Sequence, residues 1–220
     1  MLRHTLLFLL ISQLVIAQDI ETPGVIVLTP LEFQLDESLI ADSKELETTM
    51  SDEQVAECIG SQSAYVERES LKESIKIECN FKTNSNISTV FTYIVYVWIG
   101  YRLSNYFENV TTYPRKDQNK RGIQDYETLC EKNGINWIVN IKKVNFISEL
   151  GELSGEVTFE LWNQNVKEVV QSETISVDSR NRGLEMSCED GKLDCLITNG
   201  AIFTATEILE TMISEEKYWR

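Results

Sequence analysis

The sequence predicts an α+β fold: an antiparallel sheet of about six strands, built from a long central strand plus a C-terminal meander, with N- and C-terminal helices packed on one face. Three observations carry that prediction. Thr89 to Tyr101 contains seven β-branched and five aromatic residues in thirteen, side chains that suit a pleated surface better than a helix. Val157, Phe159 and Leu161 alternate with Glu156, Thr158 and Glu160, the period of a sheet with one wet face. The tail returns to helical spacing, with Ile202, Ala205, Leu209, Met212 and Ile213 on one side, and such a helix must bury its stripe against the sheet.

Taken in order, residues 1–17, "MLRHTLLFLLISQLVIA", read as a signal peptide. Arg3 precedes an apolar run, Leu6 to Ala17, that ends in a small-residue pattern and is shorter than the roughly 20 residues of a spanning helix. Residues 18–50 read as an acidic, loosely ordered N-terminal arm. Its one apolar piece, "GVIVLTPLEFQL", punctuated by Pro23 and Pro30, offers an edge strand at most. A single globular domain then spans 51–220. Ser51-x-x-Gln54 is a capping box, and the spacing of Val55, Cys58, Ile59 and Gln62 predicts a helix over about 52–72. In "ESIKIECNF" the residues Ile75, Ile77, Cys79 and Phe81 stand two apart, which predicts a strand.

The long strand comes next, with both faces apolar enough to predict burial on two sides. "TTYPRKDQNKRGI" reads as a loop on Pro114 and Gly122 and holds the basic island Arg115, Lys116, Lys120 and Arg121. Lys120-Arg121 reads as an ordinary solvated pair, with dibasic processing, or docking of the acidic arm onto the island, as alternatives. "DYETLCEKNG" predicts a short helix closed by Asn133-Gly134. The meander follows as "NWIVNIKKVNFIS", "GEVTFELWN", "KEVVQSETISV", "GLEMSC" and "KLDCLIT".

Charge and composition exclude more functions than they suggest. The net charge is -15, and loss of the signal with Arg3 makes it -16. Residues 18–57 alone hold eleven acids against Lys44. A surface of this sign repels phosphate backbones and anionic lipid, so neither nucleic acid nor a membrane surface is an expected partner. The only histidine, His4, leaves with the signal. Imidazole-dependent nucleophile activation and imidazole metal sites are thereby excluded, and no C-x-x-C or phosphate-binding glycine loop is present. No cofactor and no metal site is expected. Chemistry on carboxylates alone survives, so a glycosidase-like extracellular hydrolase stays open as an alternative.

Five cysteines in an oxidising compartment predict two disulfides and one thiol left over. The favoured pairs are Cys188–Cys195, with Asp190-Gly191 as the turn between them, and Cys58–Cys79. Cys130 is then unpaired, available for a covalent dimer or buried and inert. Glycosylation sequons begin at Asn86 and Asn109, on either side of the apolar stretch 87–103. Glycans on both would place both ends in the lumen and rule out a single crossing through 87–103, the remaining membrane alternative. Within that stretch Phe91, Tyr93, Val95, Val97 and Trp98, together with Trp137 and Trp162 on strands beyond it, are candidates to line a ligand pocket. The functional expectation is a secreted, non-catalytic glycoprotein that binds an apolar small molecule or a protein partner.

Overall fold

A computed structural model describes residues 24–64, 69–107, 110–115, 123–180 and 188–214. The segment 1–17 read as a signal peptide, Asn109, Lys120-Arg121 and nearly all of "GLEMSC" lie outside them.

The sheet begins where the sequence offered only an edge. β1 (Gly24–Leu28) is wholly buried and lies inside the sheet, parallel both to β5 (Thr111–Arg115) and to β6 (Trp137–Glu149). The arm is therefore not loosely attached at this point. After a jog at Thr29 to Leu31 the chain forms β2 (Glu32–Leu35), which pairs in parallel with the second half of β6. Beyond β6, the strands β7 (Glu152–Asn163) and β8 (Glu168–Asp178) add the antiparallel meander expected from their alternation. The path is β5-β1-β6-β7-β8, with β2 also on β6, so the six-stranded sheet is mixed rather than antiparallel. The segment read as a loop around Pro114 is instead strand β5. Pro114 is tolerated there because β5 is an edge, where one side of the strand donates no ladder bond.

A short 3-10 turn (Glu37–Leu39) and α1 (Ile40–Glu45) lead to β3 (Thr48–Thr49). α2 (Asp52–Ser63) follows, closed at its start by both bonds of the Ser51–Gln54 capping box. The predicted strand "ESIKIECNF" is helical, forming α3 (Glu69–Phe81), and β4 (Asn84–Ser85) pairs with β3 after it. The two-residue spacing of Cys79 and Phe81 survives as two buried positions on one helix end.

The largest correction concerns the predicted central strand. Residues Ile87–Leu103 form a helix, α4. Asn86 caps it, its Oδ1 accepting from the Thr89 amide and hydroxyl at 3.0 Å each. Inside the helix, the Thr92 hydroxyl turns back to the Ser88 carbonyl at 2.8 Å, which removes its competition with the backbone. Ile87, Phe91, Ile94, Val95, Ile99 and Leu103 are all buried, a period of 3.6 that outweighs the β preference of the individual residues. "KLDCLIT" is likewise not a strand: α6 (Leu193–Ser214) already begins there.

α4 and α6 lie together on one face of the sheet, over a core that includes Val25, Val27, Trp137, Val139, Phe146 and Phe159. The alternate residues Ile26, Leu28, Ile138 and Trp162 face the other way, against Tyr126 and Cys130 of α5 (Ile123–Asn133). Helices therefore cover both faces, not one. α5 ends as expected at Asn133, with Gly134 at φ 61°. At the centre of the main core Phe146 sits opposite Gly155, where a Cβ would run into the Phe146 ring and the Asn145 carbonyl. Asn199, fully buried on α6, donates from Nδ2 to the Asp178 and Arg180 carbonyls at 2.7 and 2.9 Å and fastens the end of β8 to the helix.

Candidate functional site

The cysteines are settled first, because they decide which parts can move. Cys58 is bonded to Cys79, joining α2 to α3, and Cys188 is bonded to Cys195 across the turn at Asp190-Gly191. Cys130 is free and only 1% exposed, so it cannot meet the thiol of a second copy, and the covalent dimer is withdrawn. Burial, with the Glu131 charge beside it and against a hydrogen bond from Trp162, pushes its thiol up to about 12. In the folded protein a thiol-specific disulfide reagent is expected to modify no cysteine at neutral pH, and one per chain after denaturation without reductant. A fast-reacting native thiol would contradict this placement.

The seven pocket candidates separate into two groups. Phe91, Val95, Trp137 and Trp162 are each 0% exposed and belong to the packed core. Phe91 packs near the rings of Phe33 and Phe146, at 6.1 and 6.4 Å between centroids, and Trp162 lies 5.7 Å from Tyr126. These four form no pocket for a ligand. Tyr93, Val97 and Trp98 are half-buried on the outer side of α4.

Tyr93 belongs to a polar cluster that fastens α3 to α4. The Lys82 ammonium and the Tyr93 hydroxyl donate to Glu78 Oε1 at 2.8 and 3.0 Å, and the Tyr96 hydroxyl donates to Oε2 at 2.7 Å. The Lys82 ammonium also sits 4.3 Å from the centre of the Tyr93 ring. Burial alone would raise the Glu78 carboxyl. The bonds from Lys82 and Tyr96, the Lys82 charge and the Tyr93 bond outweigh it and hold the group below its ordinary value of 4.5. Burial and the Glu78 charge push both tyrosines up, so they remain donors.

A carboxyl with a depressed folded value stabilises the fold above its unfolded value, and that stabilisation is lost as pH falls through the lower folded value. Chemical denaturation from about pH 6 to about pH 3 should show wild-type stability falling below pH 4.5 more steeply than that of Glu78→Gln. Parallel curves would show that the cluster carries no net charge effect.

Trp98 leads to an open site. With Arg102 and Tyr106 it forms one wall of a half-open groove of ≈ 490 Å³, whose other wall is α6 through Phe203, Leu209 and Ile213. Tyr106 and Ile213 are 58% and 37% exposed, and Tyr101, beside Trp98 at 6.1 Å between ring centroids, is 52% exposed. Arg102, Tyr106, Phe203 and Ile213 were not among the sequence candidates. The signal that points to Arg102 is its four-residue spacing from Trp98, which only a helical reading of 87–103 brings to one side; Tyr106 follows in the turn after the helix.

A second hollow of ≈ 490 Å³ lies beside Cys130, Asn136 and Gln164. The Nδ2 of Asn136 has no partner there, but that atom is sealed from solvent, so an entering molecule would not reach it. Asn86 is exposed, and its cap uses Oδ1. Among the described residues, no helix is long and apolar enough to cross a membrane.

No family model matches the chain, and no curated protein matches it. Among solved structures it is similar to the PelC dodecamer from Paraburkholderia phytofirmans, with 9% identity over 86% of this chain and 88% of that one and a TM-score of 0.38. It is also similar to a neuraminyllactose-binding hemagglutinin homolog from Helicobacter pylori, with 11% identity over 90% and 86% and a TM-score of 0.34. A third similarity is to the hypothetical protein CT253 from Chlamydia trachomatis, with 10% identity over 88% and 100% and a TM-score of 0.35. Likenesses this distant carry no argument about what the chain binds.

Proposed function

We propose that the chain is a secreted, disulfide-bonded glycoprotein that acts without catalysis and binds a protein partner through the groove between α4 and α6. One observation carries this reading. The aromatic surplus of the sequence divides between a filled core and an open wall, where Tyr106, 58% exposed, and the partly buried Trp98 line the groove with Phe203 and Ile213, and Tyr101, 52% exposed, stands beside Trp98. Aromatic side chains around a half-open apolar groove are the composition of a protein-binding centre rather than of a pocket that encloses a small ligand. The two disulfides fit an oxidising compartment.

The hydrolase alternative gains nothing from the geometry. Glu78 is bonded to two tyrosines and a lysine rather than set across from a second acid, and Glu207 and Glu210 stand three apart on one helix instead of across a substrate-wide gap.

Photo-crosslinking residues placed at Tyr106 and Ile213, and separately at exposed Lys76 on α3, test the reading in the protein's own secretory fluid. Adducts confined to the two groove positions support it. Equal labelling from Lys76, or none from the groove, contradicts it.

Glycosylation has its own test. Ser88→Ala removes the sequon but leaves the Asn86 cap, whereas Asn86→Ala removes both. The expected outcome is loss of one glycan in each, with a stability loss of about 1 kcal/mol only in Asn86→Ala. An unchanged mass in both variants would show that Asn86 is unmodified.

A further inference from the structure

We infer that the groove between α4 and α6 takes a cationic amphipathic helix, an inference that rests on the groove being the binding face. Its shape points to a helix. Trp98 and Arg102 stand four apart on the α4 wall, with Tyr106 in the turn beyond its end, and Leu209 and Ile213 stand four apart on the other wall, so two ridges of the same period flank one furrow. From Ile202 to Ser214 the α6 wall runs about 18 Å, roughly three turns of a helix lying along it.

The charge points to cations. Between Leu193 and Ser214 α6 holds Asp194, Glu207 and Glu210 and neither Lys nor Arg. Glu210 lines the groove, and Glu207 stands beside it within reach of Glu173 on β8. Burial first, then the charges of Glu210 and Glu173, raises the Glu207 carboxyl above its ordinary value. Lys or Arg on an incoming helix would relieve this repulsion, and the exposed faces of Tyr101 and Tyr106 offer them cation–π contacts as well. Among the described lining residues Arg102 is the one cation, and it sits on the α4 wall opposite Glu210. It therefore orients the guest, with its basic side toward α6.

The test uses the full secreted chain and two synthetic helices of about 18 residues with the same Leu/Trp stripe, one carrying Lys and the other Glu at every remaining exposed position. Binding is followed by NMR at the Trp98 indole and at the methyls of Ile202, Leu209 and Ile213. The expected result is that the Lys helix shifts these signals and binds at least about tenfold tighter than the Glu helix at low salt, a preference lost in Glu173→Gln/Glu207→Gln/Glu210→Gln.

Equal affinity of the two helices at the groove overturns the charge inference and leaves the protein-binding reading intact. Lys-helix shifts that map to the acids of 32–57 instead also overturn it. Groove signals that move with protein concentration alone would assign the site to a second copy, and binding that appears only after removal of 215–220 would assign it to the chain's own end; either overturns the inference. If neither helix moves the groove signals and the crosslinks at Tyr106 and Ile213 fail too, the binding reading falls with it.

Discussion

Phe146→Ala is expected to destabilise the whole domain by about 3–5 kcal/mol. Phe146 is 0% exposed and touches every layer of the main core. Its ring stands 5.6 Å from that of Phe33 on β2 and 6.4 Å from that of Phe91 on α4, it covers Gly155 on β7, and it approaches Gly200 on α6. Because four elements meet on one ring, they are unable to collapse together into the space it leaves, which puts the loss at the upper end for a buried aromatic. Val169→Ala, at a position 36% exposed on edge strand β8, serves as the control and should change stability by less than about 0.5 kcal/mol. Denaturant unfolding of both variants checks this. A loss below about 1.5 kcal/mol for Phe146→Ala would mean that α4 and α6 do not pack on the sheet through this ring.

Replacing Cys58 and Cys79 together by alanine is the second large effect. The bond closes a loop of 21 residues, and a loop of that length is worth about 3 kcal/mol through the restricted unfolded chain. The loss should be local. α2 buries only Val55 among its twelve residues, so without the bond little apolar surface holds it in place. Hydrogen exchange should show Asp52 to Ser63 losing protection while β6, β7 and α6 keep theirs. Uniform loss across the sheet would show that the α2–α3 pair is part of the central core.

Those two elements also mark where sequence reasoning succeeded and where it failed. Three of the five predicted meander strands, β6, β7 and β8, were legible, because polar and apolar residues alternate along β7 and fix the period. The Ser51 capping box and the end of α5 at Asn133-Gly134 were legible because their signals are local. α4 was not. Its stripe Ile87, Phe91, Ile94, Val95, Ile99 and Leu103 is present in the sequence, but the outer residues Tyr93, Tyr96, Val97 and Trp98 are nearly as apolar, so no period stands out and composition decided wrongly. The outer side is apolar because part of it faces the groove, so the feature that obscured the helix is the one that makes the candidate site. β1 was missed for the opposite reason. "GVIVL" is the uninterrupted apolar run of a strand buried on both faces, yet it sits among the acids of 18–57, and its parallel partners β5 and β6 are more than eighty residues away. Tertiary pairing at that distance leaves no local mark.

The central claim is that residues 87–103 form a helix with one face in the core and the other open as an aromatic wall. Hydroxyl-radical footprinting of the folded protein with residue-level mass spectrometry checks it. Fast oxidation of Trp98, Tyr101 and Tyr106 is expected, with slow oxidation of Phe91, Trp137 and Trp162 until the fold is lost. Oxidation of Phe91 at the rate of Trp98, or protection of Trp98 equal to that of Trp137, would contradict it.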